Sequence, residues 1–101
     1  MIIVIGQVTA EAKDVDSARA ALVKMQNTTR AEQGCVSYGF SIDVGDATKI
    51  VISERWESME ALTAHVKSPH MAEFGKAVAA IKPKGLDVKA YEVAREVKLP
   101  M

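Results

Sequence analysis

The chain contains two histidines, His65 and His70, and a single cysteine, Cys35. Histidine exchanges a proton near neutral pH, so it is the first residue type to consider as a base or hydrogen-bond partner. His65 falls beside Leu62 and Val66 on the apolar side of a short helical segment. There it serves either as a base or as a structural imidazole that hydrogen-bonds across the subunit. His70 stands five residues on, beyond Ser68-Pro69. That spacing is not a helical metal-ligand pair, and no third histidine or second cysteine completes a site, so no metal is expected. Glu54 alternates with Ile50, Ile52 and Trp56 on what reads as one strand face. A carboxylate buried without a partner is costly, and His65, His70 and the neighbourhood of Arg55 are the candidates. A Glu54–His65 pair would make the imidazole more basic, which suits deprotonation of a phenol. His65 and Glu54 are therefore the candidate catalytic residues.

Trp56, Tyr38, Phe40 and Phe74 would give a flat aromatic ligand its stacking walls, with the Tyr38 hydroxyl as an orienting group. The same four residues would serve equally as core. Gln7, polar on an otherwise apolar first strand, is a candidate to reach the same cavity, and His70 is a further candidate ligand contact. Cys35 is expected to pack rather than react, since no base stands beside it in sequence.

The bulk properties exclude several classes. The formal net charge is +0, with both signs mixed along the chain, so nothing supports a nucleic-acid interface. A lone cysteine allows no internal disulfide and fits a reducing compartment. The opening apolar run, Ile2 to Ile5, is too short for a secretory segment and no basic residues precede it. No stretch approaches the roughly 20 apolar residues of a membrane span, so a soluble cytoplasmic protein is expected. A Gly-rich phosphate loop is missing, which leaves nucleotide and flavin binding without support; no cofactor is expected.

These side chains must be positioned by the surrounding elements. Ile2, Ile3, Val4, Ile5 and Val8 predict a first strand over 1–9, buried on both faces because its apolar residues are consecutive. Asp14 predicts a helix N-cap, and Val15, Ala18, Leu22 and Met25 carry that helix to about Glu32, with Gly34 after it. Residues 35–44 read as a second strand with Val36, Tyr38, Phe40 and Ile42 on one face. Gly45-Asp46 turns the chain into a third strand over 49–57. Ser58 caps a short helix. Ser68 and Pro69 start the next, whose stripe is Met71, Phe74, Val78 and Ile81. Pro83 and Gly85 end it, and a long last strand is expected over 86–97.

The order β-α-β-β-α-β predicts an α+β, ferredoxin-like domain with a four-stranded antiparallel sheet. One domain is expected over 1–101, with its core in 2–93. The helices can cover one face of such a sheet, yet two strands are apolar on both faces. A second copy of the same sheet, related by a two-fold axis, is the simplest cover, so a homodimer through the sheet face is expected.

The segment 34–74 carries a family resemblance. It contains Gly34-Cys35-Val36-Ser37-Tyr38, then Ser53-Glu54-Arg55-Trp56-Glu57-Ser58, then Ala64-His65 and Ser68-Pro69-His70-Met71 before Phe74. This combination resembles the antibiotic biosynthesis monooxygenase family. The resemblance implies a dimeric α+β barrel with a cavity between sheet and helices in each subunit. The family includes cofactor-independent monooxygenases of polyketide aromatics, quinol oxidases, haem-degrading enzymes and an isomerase of the autoinducer-processing type. Haem-degrading relatives use an Asn, a Trp and an iron-ligating His, and the matching positions here are Gln7, His65 and Phe74. All three differ, which argues against haem degradation.

The leading expectation is a cofactor-independent monooxygenase or quinol oxidase acting with molecular oxygen on a small aromatic or quinone-like substrate. A small-carbonyl isomerase and a non-catalytic ligand-binding barrel are the alternatives. RNA recognition, which shares the element order, is set aside, because the third strand lacks the exposed aromatic residues it needs.

Overall fold

A computed structural model describes residues 1–101. Its elements are β1 (Ile2–Thr9), α1 (Ala12–Ser17), α2 (Arg19–Arg30), β2 (Cys35–Asp43), β3 (Asp46–Trp56), α3 (Met59–Val66), α4 (Pro69–Ala80) and β4 (Gly85–Glu92). The strands form one antiparallel sheet in the order β2-β3-β1-β4. With helices packed on one face, this is the ferredoxin-like α+β fold expected from the order of elements.

Alternation along β1 and β3 decides what is buried. Ile2, Val4 and Val8, with Ile50, Ile52 and Trp56, turn toward the helices and lie under 9% exposed. They form two apolar clusters. One joins Val8, Val15, Leu22, Ile50 and Ile81, and the other Ile2, Val4, Met25, Tyr38 and Trp56. Phe40 and Phe74 pack against both. The other face of the sheet is open within the chain: Ile5, expected to be buried, is 54% exposed. Helices on one side only make a slab 39 × 37 × 20 Å.

Several features depart from expectation, among them the start of β3 at Asp46 rather than at 49. The first helix begins at Ala12, with Glu11 at its N-cap and no side-chain cap, and it is interrupted at Ala18. Ser17 Oγ donates to the Asp14 carbonyl there, competing with the backbone ladder. In β2 a bulge between Cys35 and Ser37 shifts the register, so Cys35 rather than Val36 joins the buried side and Val36 faces solvent. The last strand stops at Glu92, not Val97. It pairs with β1 as far as Ile2, Val93 N donates once more to Met1 O, and residues 94–97 have no strand beside them. No helix is long and apolar enough to cross a membrane.

Candidate active site

Three turns converge on one point. Gly34 ends the segment after α2 at φ +86, and a Cβ there would stand 2.5 Å from the Ala61 Cβ. Only glycine adopts that conformation at this contact without strain, and it seats the turn carrying Glu32 against α3. Ser58 caps α3 by accepting from Ala61 N at 3.1 Å, and Ser68 caps α4 by accepting from Met71 N at 3.2 Å, as the sequence predicts. These caps set the last turn of α3, with His65, beside the first turn of α4, with His70.

Glu32 Oε2 lies 2.6 Å from His65 Nδ1 and 3.0 Å from His70 Nε2. An ionised carboxylate only accepts, so each imidazole presents an N–H to it. The Ser68 hydroxyl donates to the His65 carbonyl at 2.7 Å and lies 3.2 Å from His70 Nε2. The His65 ring stacks on Trp56 with centroids 4.8 Å apart and an interplanar angle of 32°. Its edge meets Tyr38 at 5.4 Å. His65 is 2% exposed, whereas the His70 side chain retains 23% of its surface. His70 opens onto a cleft of about 70 Å³ between α2 and α4, walled by Met25, Thr28 and Phe74 and crossed by the Lys24–Glu73 ion pair at 3.1 Å.

Glu54 is buried on the helix-facing side of β3, as the alternation predicts, but it does not hydrogen-bond to His65. The indole N–H of Trp56 donates to its Oε1 at 2.8 Å, because residues two apart on a strand share a face. Burial pushes the Glu54 carboxyl up from its ordinary value, offset in part by that indole and by His65. Burial first, and the nearby Glu54 charge second, raise the Tyr38 phenol. Burial also raises the Cys35 thiol, with Glu32 and Glu54 adding to the effect, so the thiol stays protonated.

The predicted site residues thus divide. His65, His70, Tyr38, Trp56 and Glu54 come together, and Phe40 and Phe74 flank them, 5.3 Å apart. Trp56 has no exposed surface and Tyr38 only 4%, so in this conformation they support the imidazole rather than wall a cavity. Gln7 is not brought to the site. It pairs with Val51 and Asp87 and points to the opposite face of the sheet. Glu32 went unrecognised in the sequence. It occupies an irregular turn with no periodicity, and its only signal was that two histidines need a partner.

The profile of the antibiotic biosynthesis monooxygenase family matches residues 1–77. The chain belongs to this family. Among curated relatives, this antibiotic biosynthesis monooxygenase domain is 33% identical over 63 residues to YgiN of Escherichia coli (strain K12), named a probable quinol monooxygenase; the match covers 54% of this chain and 61% of that one. It is 41% identical over 56 residues to Rv0793 of Mycobacterium tuberculosis, named as a monooxygenase by inference, covering 55% and 54%. The chain spans about half the length of the curated relatives it matches. Among solved structures, a candidate antibiotic biosynthesis monooxygenase from Deinococcus radiodurans superposes with TM-score 0.91 at 27% identity, covering 98% of both chains. Rv0793 superposes with TM-score 0.84 at 28% identity, covering 96% of this chain and 98% of that one.

Proposed function

We propose that the protein is a cofactor-independent monooxygenase or quinol oxidase acting on a small aromatic or quinone-like substrate at the α2–α4 cleft. One observation carries this: two imidazoles share one carboxylate, and one of them, His70, lines the α2–α4 cleft. With its N–H held by Glu32 and Ser68, His70 keeps Nδ1 as its basic nitrogen, outside any hydrogen bond within the chain. It takes the proton from a substrate O–H or acidic C–H, and Glu32 stabilises the imidazolium. His65, buried behind Glu32, positions the carboxylate. The electron-rich anion then passes electrons to oxygen. A quinol and O2 give quinone and hydrogen peroxide. An activated CH2 between aromatic rings and O2 give a carbonyl and water.

About 70 Å³ is less than the roughly 150 Å³ that encloses benzene, so substrate entry requires α2 and α4 to part. The Lys24–Glu73 pair offers little resistance, since both side chains are about two-thirds exposed. The small cleft also suits the second reading, a small-carbonyl isomerase, which would use the same His70 and Glu32 without oxygen. We further propose a homodimer through the open sheet face, where Ile3, Ile5, Val51 and Tyr91 lie together, in the cytoplasm.

The test is oxygen uptake by metal-free protein against quinols, anthrones and catechols. His70→Ala should lower kcat by about 10²-fold or more, and Glu32→Gln by a similar or smaller factor. Turnover of a small carbonyl compound that is unchanged under argon would replace the oxidase reading with the isomerase one.

A further inference from the structure

We propose that Glu32, His65 and His70 form a binding site for a divalent transition-metal cation of the zinc type. Both of the chain's imidazoles converge on one carboxylate. The three donor atoms lie within 4.8 Å of one another. Two imidazoles and a carboxylate suit Zn²⁺, Co²⁺, Ni²⁺ or Fe²⁺, whereas Mg²⁺ and Ca²⁺ prefer all-oxygen sets.

Charge favours the same occupant. Glu32 and the buried Glu54 face this pocket, and neither forms an ion pair with a lysine or arginine. Glu32 meets only the two imidazoles, and Glu54 only the Trp56 indole. A divalent cation would supply the positive charge that the protein does not.

The fit requires small adjustments, which Glu32 and His70 are placed to make. Metal–donor bonds of about 2.0–2.2 Å place tetrahedral donors roughly 3.3–3.5 Å apart. The present carboxylate–imidazole separations of 2.6 and 3.0 Å must open by less than about 1 Å, and the two imidazole nitrogens, which lie within 4.8 Å, must close to the same spacing. Glu32 and His70 have that freedom, with 19% and 23% of their side-chain surface exposed. His70 also lines the α2–α4 cleft, which gives the cation a path from solvent. The Ser68 hydroxyl is committed to the His65 carbonyl and the Met71 amide, so a fourth ligand would come from water.

Metal on Nε2 obliges neutral His70 to carry its proton on Nδ1, which removes the basic nitrogen. Metal occupancy and the base role therefore exclude each other. This inhibition rests on the proposed function, but the binding does not.

The test uses the full chain, free of any affinity tag and stripped with a chelator. Co²⁺ is titrated while visible ligand-field absorption is recorded, and Zn²⁺ is titrated by calorimetry. One ion per chain is expected, with Kd raised at least about ten-fold in His70→Ala and in Glu32→Gln. Because His65 is buried and its replacement risks unfolding, these two part-exposed positions carry the test, with folding checked by thermal melting. Absence of one-to-one binding overturns the proposal, as does binding that survives both substitutions unchanged. Neither readout needs turnover, so failure of the oxidase reading and failure of the metal site are told apart.

Discussion

Glu54 is a buried carboxylate whose environment is incompletely compensated, and this has a measurable consequence. The Glu54 carboxyl is raised above its ordinary value by burial, so folding favours its protonated form. The resulting stabilisation is present below the unfolded pKa and is lost as pH rises through the folded one. Glu54→Gln keeps an oxygen for the Trp56 indole and removes the buried charge. It should melt several degrees higher than the parent protein at pH 7–8, with the gap closing toward pH 4; a gap independent of pH would contradict the burial argument.

At the scale of elements, the site depends on how three short turns are held. Gly34→Ala meets both a positive φ and the Ala61 Cβ, so it should cost about 2 kcal/mol or more in denaturant unfolding. Because that turn carries Glu32, the same substitution should lower oxygen uptake in molecules that remain folded. Ser68→Ala loses the α4 cap and the hydroxyl beside His70, with an expected loss of about 1 kcal/mol. Both caps and Pro69 were legible in sequence, since serine before a helix start and proline at its first position act through local hydrogen bonds and φ alone. The Ala18 break and the Val36 bulge were not legible. Each depends on competition between a local bond and the pairing of the whole element.

For the whole molecule, the decisive features are thinness and a half-covered sheet. Only 15 of 101 residues are buried, few for a chain that is 49% apolar, and β4 is exposed along its full length. A second sheet packed on the open face would bury Ile3 and Ile5. Sedimentation should therefore give about twice 10.9 kDa. Ile5→Glu should yield a monomer of lower melting temperature, because a charge at an apolar interface is strongly disfavoured. A monomeric parent protein would refute the proposed dimer.

The sequence by itself determined the order of elements, the shared face of Ile50, Ile52, Glu54 and Trp56 on β3, the Ser58 and Ser68 caps, and the burial of Glu54 with Trp56. All of these follow from periodicities of 2.0 and 3.6 residues and from local capping chemistry. It also singled out both histidines, because no other side chain of this chain suits proton exchange near neutrality. Tertiary structure alone decided their partner. Glu32 is 33 residues from His65 and 38 from His70, in a turn without periodicity, and only the closure of α2, α3 and α4 onto one sheet brings it there. It likewise decided that His70, not His65, meets the cleft, and that Gln7 faces away. Exposure and facing depend on how whole elements pack, and no local pattern in the chain encodes that.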